Sequence, residues 1–275
     1  MAATKSTRKQ PDNWALFSGH RARFTAALTA ERPEGGGGRL CLLGAGACND
    51  VALDALLRVF AEIHLVDIDP TAVAAGLARV PAGDRGRVFR HAPVDLSGLQ
   101  TLLPSWEKTP PTLTAIEGAA EQAVKQIVER LPGPFDVVAS ACVLTQMSFH
   151  LTETLGSGHL MLEPVRQSLL TAHLRSLLEL CASGGHALLV TDLTSSNAYP
   201  LDDLPAGRDL VAVLDDVVAR NAFYVAANPI LIKRLLRREP TLRGRAAEPQ
   251  LLEPWLWTGA FGRTYLVFGL RLRRI

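Results

Sequence analysis

RLCLLGAGACNDVALDALLRVFAEIHLVDIDP, residues 39–70, is the most informative stretch of the chain. It indicates a buried strand, a turn of small residues, an amphipathic segment and a second buried strand that ends at Asp67. Gly44 and Gly46 let the backbone turn sharply and approach a ligand closely. A carboxylate at the tip of the next strand, about 20 residues further on, can accept both hydroxyls of a ribose. The stretch therefore predicts a site for a cofactor that contains adenosine.

Strands and helices alternate from this unit onward, as apolar runs, helical periodicity and capping residues indicate. Strands are predicted over residues 40–43, 63–66, 88–91, 135–140 and 186–191, and helices over 14–30, 50–61, 71–80, 115–131 and 164–182. Pro164 is predicted at the first helical position of the last helix, and Gly184 with Gly185 at its end. Alternation of this kind predicts a doubly wound, mostly parallel α/β sheet with helices on both faces.

The C-terminal part of the chain departs from this alternation. The segments EPWLWTG and RTYLVFGLRLRR predict two strands joined by a short Ala-Phe-Gly link, which form an antiparallel hairpin added to the sheet. Residues 196–252 are too long for a simple connection and predict helices over 208–227 and after Asn228-Pro229. They are interpreted as a helical cap or substrate-binding insertion within a domain that covers residues 39–275.

Residues 1–38 are predicted to hold a tail, one helix and a glycine-rich hinge. The first twelve residues are polar and predicted to be disordered, with Asp12 or Asn13 as the helix cap. The helix places four large apolar side chains roughly on one face: Trp14, Phe17, Phe24 and Leu28. The glycines of residues 35–38 predict a flexible hinge. The helix is therefore either a lid over the cofactor site or an element that packs on the sheet, and the sequence leaves both open.

The composition favours a cytoplasmic globular protein without a resident metal. The chain has 275 residues, 48% hydrophobic content and a formal net charge of +2. A net charge this small gives no general electrostatic attraction to nucleic acid or to a membrane surface. Six late basic residues are interpreted as a solvated helix face rather than a phosphate-binding patch: Lys233, Arg234, Arg237, Arg238, Arg243 and Arg245. The four cysteines form no CxxC pair, which favours reduced thiols. No signal peptide, membrane span or metal-ligand spacing is evident.

The glycine turn alone leaves two cofactors open. A dinucleotide site needs the pattern Gly-x-Gly-x-x-Gly, in which the third glycine allows close helix–strand packing beside a pyrophosphate. The third position here is Asn49. The terminal hairpin also disfavours a dinucleotide fold, which would continue with a second parallel half. An NAD(P)-dependent oxidoreductase therefore stays as the less favoured alternative.

Five segments together resemble the class I S-adenosylmethionine-dependent methyltransferases. They are LCLLGAGACND, HLVDIDP, VFRHAPVDL, FDVVASACVLTQM and GGHALLVTD, and the resemblance covers about residues 39–195 and the C-terminal hairpin. It implies a Rossmann-like methyltransferase fold with a seven-stranded sheet and S-adenosyl-L-methionine as the cofactor. A non-catalytic, methyltransferase-like binding module that uses the late basic segment is the alternative.

The resemblance also implies roles for individual residues. The turn of Gly44 and Gly46 would lie against the methionyl part of the cofactor, and Asp67 would take the ribose hydroxyls. The remaining contacts that it implies are Ile68 on the adenine face, Asp95 at the adenine amino group with Leu96 beside it, and Ser140 and Ala141 at the methionyl group. Asp95 also suits a plain turn, because Asp-Leu-Ser-Gly is typical turn chemistry.

One departure from the family concerns the first strand. Members often carry an acid two residues before the first glycine, whereas this chain has Leu42. Asn49 and Asp50 are the candidates to supply the missing polarity near the cofactor's amino group. Asn49 also suits a helix cap, and the two roles are compatible.

The segment after the fourth strand, CVLTQMSFHLTE, is where the methyl group would point. Gln146 is predicted to orient a substrate, and His150, one helical turn further along, is the candidate proton acceptor, with Glu153 also considered. The reserve candidates are His20, His159, Asp192 and Tyr199. Methyltransferases that act on DNA bases or glutamine usually show an Asp/Asn-Pro-Pro-aromatic motif here, which this chain lacks. The resemblance therefore favours O- or N-methylation of a small molecule, and the sequence indicates no oligomeric state.

Overall fold

The computed structural model describes residues 14–259 and 262–275. The predicted disorder of the first twelve residues and the cap at Asp12 or Asn13 lie outside these ranges, as do Ala260 and Phe261 of the predicted link. The strands are β1 (Gly38–Leu43), β2 (Phe60–Val66), β3 (Val88–His91), β4 (Phe135–Ala141), β5 (Cys181–Ser195), β6 (Gln250–Leu251), β7 (Trp255–Thr258) and β8 (Thr264–Arg273). The α-helices are α1 (Ser18–Ala30), α2 (Leu53–Leu56), α3 (Pro70–Ala78), α4 (Leu103–Trp106), α5 (Leu113–Arg130), α6 (Val143–Leu155), α7 (Leu162–Leu180), α8 (Leu210–Ala219) and α9 (Pro229–Arg238).

The strands of the described residues form one sheet in the order β3-β2-β1-β4-β5-β8-β6, and β7 also pairs with β8. β1 to β5 are parallel, β8 runs antiparallel to β5, and both β6 and β7 run antiparallel to β8. The predicted doubly wound, mostly parallel sheet with a C-terminal antiparallel hairpin is confirmed. The sheet has seven positions but eight strands, because β6 and β7 share the last position. β6 is not predicted from the sequence, because a strand of two residues shows no alternation of polar and apolar side chains.

Alternate residues along the strands feed two apolar cores, one on each face of the sheet. Leu43, Val66, Val138, Leu189 and Phe268 belong to the core that α5, α7, α8 and α9 cover. The opposite core contains Leu42, Leu65, Val137, Val190 and Val267 together with apolar residues of α1, α2 and α3. Burial on both faces explains why the parallel strands are apolar almost without interruption.

Three predicted helices have different bounds. The helix predicted over 50–61 is only the four-residue α2, because β2 already begins at Phe60. The helix predicted over 208–227 ends at Ala219, since Asn221 adopts a left-handed conformation (φ 54°), and a short 3₁₀ turn follows at Val225–Ala227. α7 begins at Leu162, which places Pro164 at the third position rather than the first.

Gly184 and Gly185 do not end α7 but lie inside β5. A Cβ atom at Gly185 would lie 2.5 Å from the carbonyl oxygen of Asp136 in β4, so glycine is required for the close approach of the two strands. The glycine pair therefore marks crowding in the sheet rather than a helix cap.

The N-terminal helix packs on the sheet. Phe24 and Leu28 of α1 are completely buried in the core that also holds Leu40 and Trp255. The glycines before β1 adopt positive φ angles of 91°, 76° and 80° at Gly35, Gly36 and Gly37, which only glycine takes up readily. No helix in residues 14–259 and 262–275 is long and apolar enough to cross a membrane.

Candidate functional site

Three parallel strands end at the same level and create the candidate site. Leu43 at the end of β1 pairs with Val66 of β2 on one side and with Ser140 of β4 on the other. Gly44, Asp67 and Ala141 follow these residues directly, so the glycine turn, the carboxylate and the start of α6 lie along one edge of the sheet. β1 is also the point where the strand order reverses, which is where open α/β sheets bind ligands.

The two glycines of the turn differ in the space that surrounds them. Gly44 has φ +76°, and a Cβ atom there would lie 2.5 Å from Cβ of Val143, the first residue of α6. Gly46 has φ +48°, and a Cβ atom there would meet nothing within 4 Å. Gly44 therefore allows α6 to approach the turn, whereas the turn is open at Gly46.

Asp67 is tied to the glycine turn through its carboxylate. The backbone N–H of Gly46 donates to Oδ2 of Asp67 at 2.7 Å, and the N–H of Asp69 donates to Oδ1 at 2.9 Å. Each carboxylate oxygen can accept a second hydrogen bond, so the half-buried group keeps capacity for a ligand. Asp69 instead caps α3, since its Oδ1 accepts from the N–H groups of Thr71 and Ala72. The two acids thus differ in their contacts: Asp69 caps α3, whereas Asp67 lies against the glycine turn.

Asp95 performs the turn role that the sequence allows. Its Oδ1 accepts from the backbone N–H and the hydroxyl of Ser97 at 2.9 and 2.6 Å, and its Oδ2 accepts from the N–H of Gln100 at 3.0 Å. Leu96 is buried in the core, so its side chain presents no surface to a ligand. Ile68 is 45% exposed next to Asp67, which suits the flat apolar contact expected there. The adenine contacts themselves stay predictions.

The hydroxyl of Ser140 points into the core rather than toward the sheet edge. Its Oγ shares a hydrogen bond of 2.8 Å with Nε2 of His173 in α7, and both residues are completely buried. Burial lowers the pKa of His173 to about 4, so this histidine is neutral at physiological pH. Only the backbone of Ser140 is left to border a ligand, while Ala141 ends β4 as a buried small residue.

Asn49 does not cap a helix, contrary to one of its two predicted roles. α2 begins at Leu53 after Ala52, and no side chain caps it. The Oδ1 atom of Asn49 is buried and has no hydrogen-bond partner, while its carbonyl oxygen accepts from Nη1 of Arg21 at 3.0 Å. Buried polar atoms are almost always paired. An orphan acceptor beside the glycine turn fits a ligand that brings a donor.

The N-terminal helix also reaches across the glycine turn. Arg21 donates to the carbonyl oxygens of Trp14 and Asn49 at 2.9 and 3.0 Å, and its guanidinium lies 3.5 Å from the centre of the Trp14 ring. The guanidinium of Arg79 lies 4.6 Å from the centre of the same ring and donates to the carbonyl oxygen of Ala47. α1 therefore packs on the sheet and also contacts the loop that follows the glycine turn, while its role as a lid stays a prediction.

The predicted catalytic residues lie on the exposed face of α6. Gln146 donates from Nε2 to the carbonyl oxygen of Cys142 at 3.2 Å, and His150 is exposed one turn further along. One helical turn moves His150 about 5–6 Å further from the strand ends than Gln146. Glu153 is exposed in the last part of the same helix. Gln146 is therefore at the site, and His150 lies toward its outer side.

Asp192, a reserve candidate, is the buried carboxylate nearest to the strand ends of the sheet centre. It follows the last β4–β5 pair, Ala141 with Val190, by two residues. The hydroxyl of Thr145 in α6 donates to its Oδ1 at 2.8 Å. Burial is the main reason that the pKa of Asp192 is raised above its ordinary value. The signal in the sequence is an acid at the end of an apolar run. Asp192 is only a reserve candidate there, because the segment after the fourth strand is the expected place for the proton acceptor.

The other reserve candidates lie in different parts of the structure. His20 lies at the site, as described below. His159 bonds the carbonyl oxygen of Trp106 at 3.0 Å, and the hydroxyl of Tyr199 donates to Asp216, so both have structural roles elsewhere. Among the residues that the structure describes, no group of three or more potential ligands is placed to hold a metal ion.

No family model and no curated protein matches the chain. Solved structures with a similar fold include an arsenic(III) S-adenosylmethionine methyltransferase from Chlamydomonas reinhardtii, with 15% identity, coverage of 94% of this chain and 74% of that chain, and a TM-score of 0.45. The N-methyltransferase NodS from Bradyrhizobium japonicum has 13% identity, coverage of 94% and 97%, and a TM-score of 0.46. Magnesium protoporphyrin IX methyltransferase from Synechocystis, solved with bound S-adenosylhomocysteine, has 12% identity, coverage of 95% and 84%, and a TM-score of 0.46.

Proposed function

We propose that the protein is an S-adenosylmethionine-dependent methyltransferase that methylates an oxygen or nitrogen atom of a small molecule. The observation that carries the proposal is the pairing of Asp67 with the N–H of Gly46 at the point where the strand order reverses. The antiparallel β8 beside β5 separates this sheet from dinucleotide-binding folds, which continue with parallel strands. Each of the five sequence segments that resemble class I methyltransferases contains residues of one of the parallel strands β1 to β5.

The residues of the site fit the proposed cofactor. Asp67 keeps acceptor capacity for ribose hydroxyls, the turn is open at Gly46, and the orphan Oδ1 of Asn49 suits a donor such as an ammonium group. When bound, the cofactor supplies a methyl group that its sulfonium already activates. The protein is then left with three tasks, which are binding, alignment and the exclusion of water.

Alignment is the largest contribution that this scaffold can make. Holding a nucleophile in line with the methyl group is worth about 7–11 kcal/mol in favourable cases. Arg21 of α1 holds the loop after the glycine turn through the carbonyl oxygen of Asn49, which would help to fix the cofactor side of the site. The cap contributes on the acceptor side, since Tyr224 donates to Oγ of Ser195 at 2.8 Å and packs edge-on against Phe149 of α6 at 5.0 Å between ring centres.

A hydroxyl or amine acceptor must lose a proton when it gains the methyl group. We infer that Asp192 takes this proton on its carboxylate, in preference to His150. Its raised pKa makes it a stronger base than an ordinary carboxylate, and it lies beside Thr145 at the start of α6. Gln146 would orient the acceptor, as predicted. The released proton then passes to solvent when the site opens.

All four cysteines are free and buried, which fits a reducing compartment such as the cytoplasm: Cys41, Cys48, Cys142 and Cys181. Burial raises the pKa of Cys48, beside the glycine turn, to about 12. That thiol is therefore protonated at neutral pH and is not a candidate nucleophile.

Calorimetry with S-adenosylhomocysteine and with NAD tests the cofactor directly. Micromolar binding of S-adenosylhomocysteine, about −8 kcal/mol, with no binding of NAD is the expected result. The acceptor class is tested with methyl-labelled cofactor and separate metabolite, RNA and protein fractions. Label in the metabolite fraction supports the proposal, and label only in RNA or protein rejects its small-molecule part. Binding without transfer to any fraction would favour a non-catalytic module.

A further inference from the structure

The amino group of the proposed cofactor lacks the acid that related strands often provide. That position is Leu42, which is buried in the core and pairs with Leu65 and Ala139 of the neighbouring strands. The nearest acid after the glycine turn is Asp50, whose side chain is 19% exposed. Asp50 is therefore the carboxylate to examine at this end of the site.

Asp50 faces a completely buried histidine of the N-terminal helix. Nε2 of His20 lies 3.1 Å from Oδ1 of Asp50. The other ring nitrogen, Nδ1, receives a hydrogen bond of 3.0 Å from Nε1 of Trp255 in β7. An indole N–H can only donate, so Nδ1 must be the acceptor and the ring proton lies on Nε2, facing the carboxylate.

The surroundings hold the His20 ring in place. Its ring centre lies 4.8 Å from that of Trp257, 5.7 Å from that of Trp255 and 6.2 Å from that of Phe24. The Nε2–H bond is not aligned on the Asp50 oxygen, so this buried N–H counts as unpartnered. The unpartnered Nε2 of His20 lies against the Asp50 carboxylate, and Asn49, with its unpartnered Oδ1, is the residue directly before Asp50.

We propose that His20 is a positioning residue that orients the Asp50 carboxylate toward the ammonium group of the methyl donor's methionine portion. The inference rests on the proposed function. An ammonium group has three donors. A carboxylate oxygen of Asp50 and the orphan Oδ1 of Asn49 supply acceptors for two of them. His20 acts through Asp50 and does not itself touch the cofactor.

The test compares two probes that differ at the amino acid end. S-adenosylhomocysteine carries the amino acid group, whereas methylthioadenosine has the same adenosine and thioether without it. Calorimetry measures both dissociation constants for the wild type, Asp50→Asn, His20→Phe and the double variant. Thr25→Val is the matched control, because Oγ1 of Thr25 in α1 accepts from the N–H of Ala52 at 2.9 Å and so also ties the helix to this loop.

We expect Asp50→Asn to raise the dissociation constant of S-adenosylhomocysteine by about tenfold or more, which corresponds to one charge-assisted hydrogen bond. The dissociation constant of methylthioadenosine should stay unchanged. His20→Phe should produce a smaller loss with the same selectivity. The double variant should be no weaker than Asp50→Asn, because the two residues act in series. Thr25→Val should change the dissociation constants of both probes by the same factor.

Equal weakening of both probes in His20→Phe, or additive losses in the double variant, would overturn the inference. If His20→Phe does not fold, Trp255→Phe removes the donor to Nδ1 and should show the same selectivity, and equal effects on both probes there reject the inference too. A wild type that binds neither probe rejects the proposed function. A wild type that binds both, with no selective loss in any variant, rejects the inference alone.

Discussion

Asp67→Asn separates the two jobs of this carboxylate, which holds the glycine turn and is expected to hold the ribose. The carboxylate accepts two backbone N–H groups, from Gly46 and Asp69. Hydrogen bonds to a charged group are worth about 1.5–3 kcal/mol when buried. Asp67→Ala removes both. Because the carboxylate is only half-buried, the expected loss in the free energy of unfolding is below the sum for two buried bonds, at about 2–4 kcal/mol. Asp67→Asn keeps the shape and one acceptor oxygen, so about half of that loss is expected.

The same substitution should also weaken the binding of the proposed cofactor. The loss of one hydroxyl contact raises the dissociation constant of S-adenosylhomocysteine by about tenfold, and the loss of both by about 100-fold or more. Urea unfolding gives the stability, and calorimetry at a temperature where the variant is folded gives the affinity. Asp69→Asn is the matched control, because asparagine caps α3 as well as aspartate does. Unchanged affinity in folded Asp67→Asn, or an equal loss in Asp69→Asn, would refute the reasoning.

Three further predictions follow from the packing of the site. Gly44→Ala should cost about 1–3 kcal/mol of unfolding free energy because its Cβ meets Val143, whereas Gly46→Ala should cost about 1 kcal/mol from its backbone conformation alone; equal losses in urea unfolding would contradict this. Ser140→Ala should lose about 1–3 kcal/mol by leaving His173 without its partner and should keep its affinity for S-adenosylhomocysteine, which calorimetry checks. Asp192→Asn should slow methyl transfer by about 10²–10⁴-fold. The same variant should be more stable than the wild type at pH 7, because the folded-state pKa of Asp192 lies above the ordinary 3.8 and its ionisation therefore disfavours the fold. The urea midpoints of the variant and the wild type should converge as the pH falls toward 4. A difference in midpoint that persists there would contradict the assignment.

The sheet could be predicted from the sequence because its strands are buried on both faces. Each of the five parallel strands overlaps its predicted range, and Val88–His91 matches it residue for residue. Helix ends were predicted less well. α2 is four residues long, and β2 begins at Phe60 within the predicted helix. Gly184 and Gly185 lie in β5, where Gly185 closely approaches β4, rather than in a helix cap. Both cases depend on contacts between segments distant in sequence, which local periodicity does not contain.

The site also combines features that the local sequence predicts with features that depend on tertiary contacts. The turn and Asp67 are adjacent in the sequence pattern, and the structure joins Gly46 to Asp67 by a hydrogen bond. The contact of His20 with Asp50 could not be predicted, because the partners belong to a helix and a loop whose packing is set by the tertiary fold. Asp95 satisfies its own turn, so an acid in the expected place can have a local role that the pattern does not reveal.

The contacts of α1 with the C-terminal hairpin have a consequence for folding order. His20 meets Trp255 across 235 residues of chain, and Glu31 meets Arg271 across 240. Closure of such long loops is slow compared with the local pairing of β1 with β2. The glycine turn and Asp67 can therefore form early, while the aromatic surroundings of His20 are completed only when the last strands dock. A ligand that binds the completed site stabilises the docked state by mass action, so its presence should protect the hairpin from hydrogen exchange more than it protects β3.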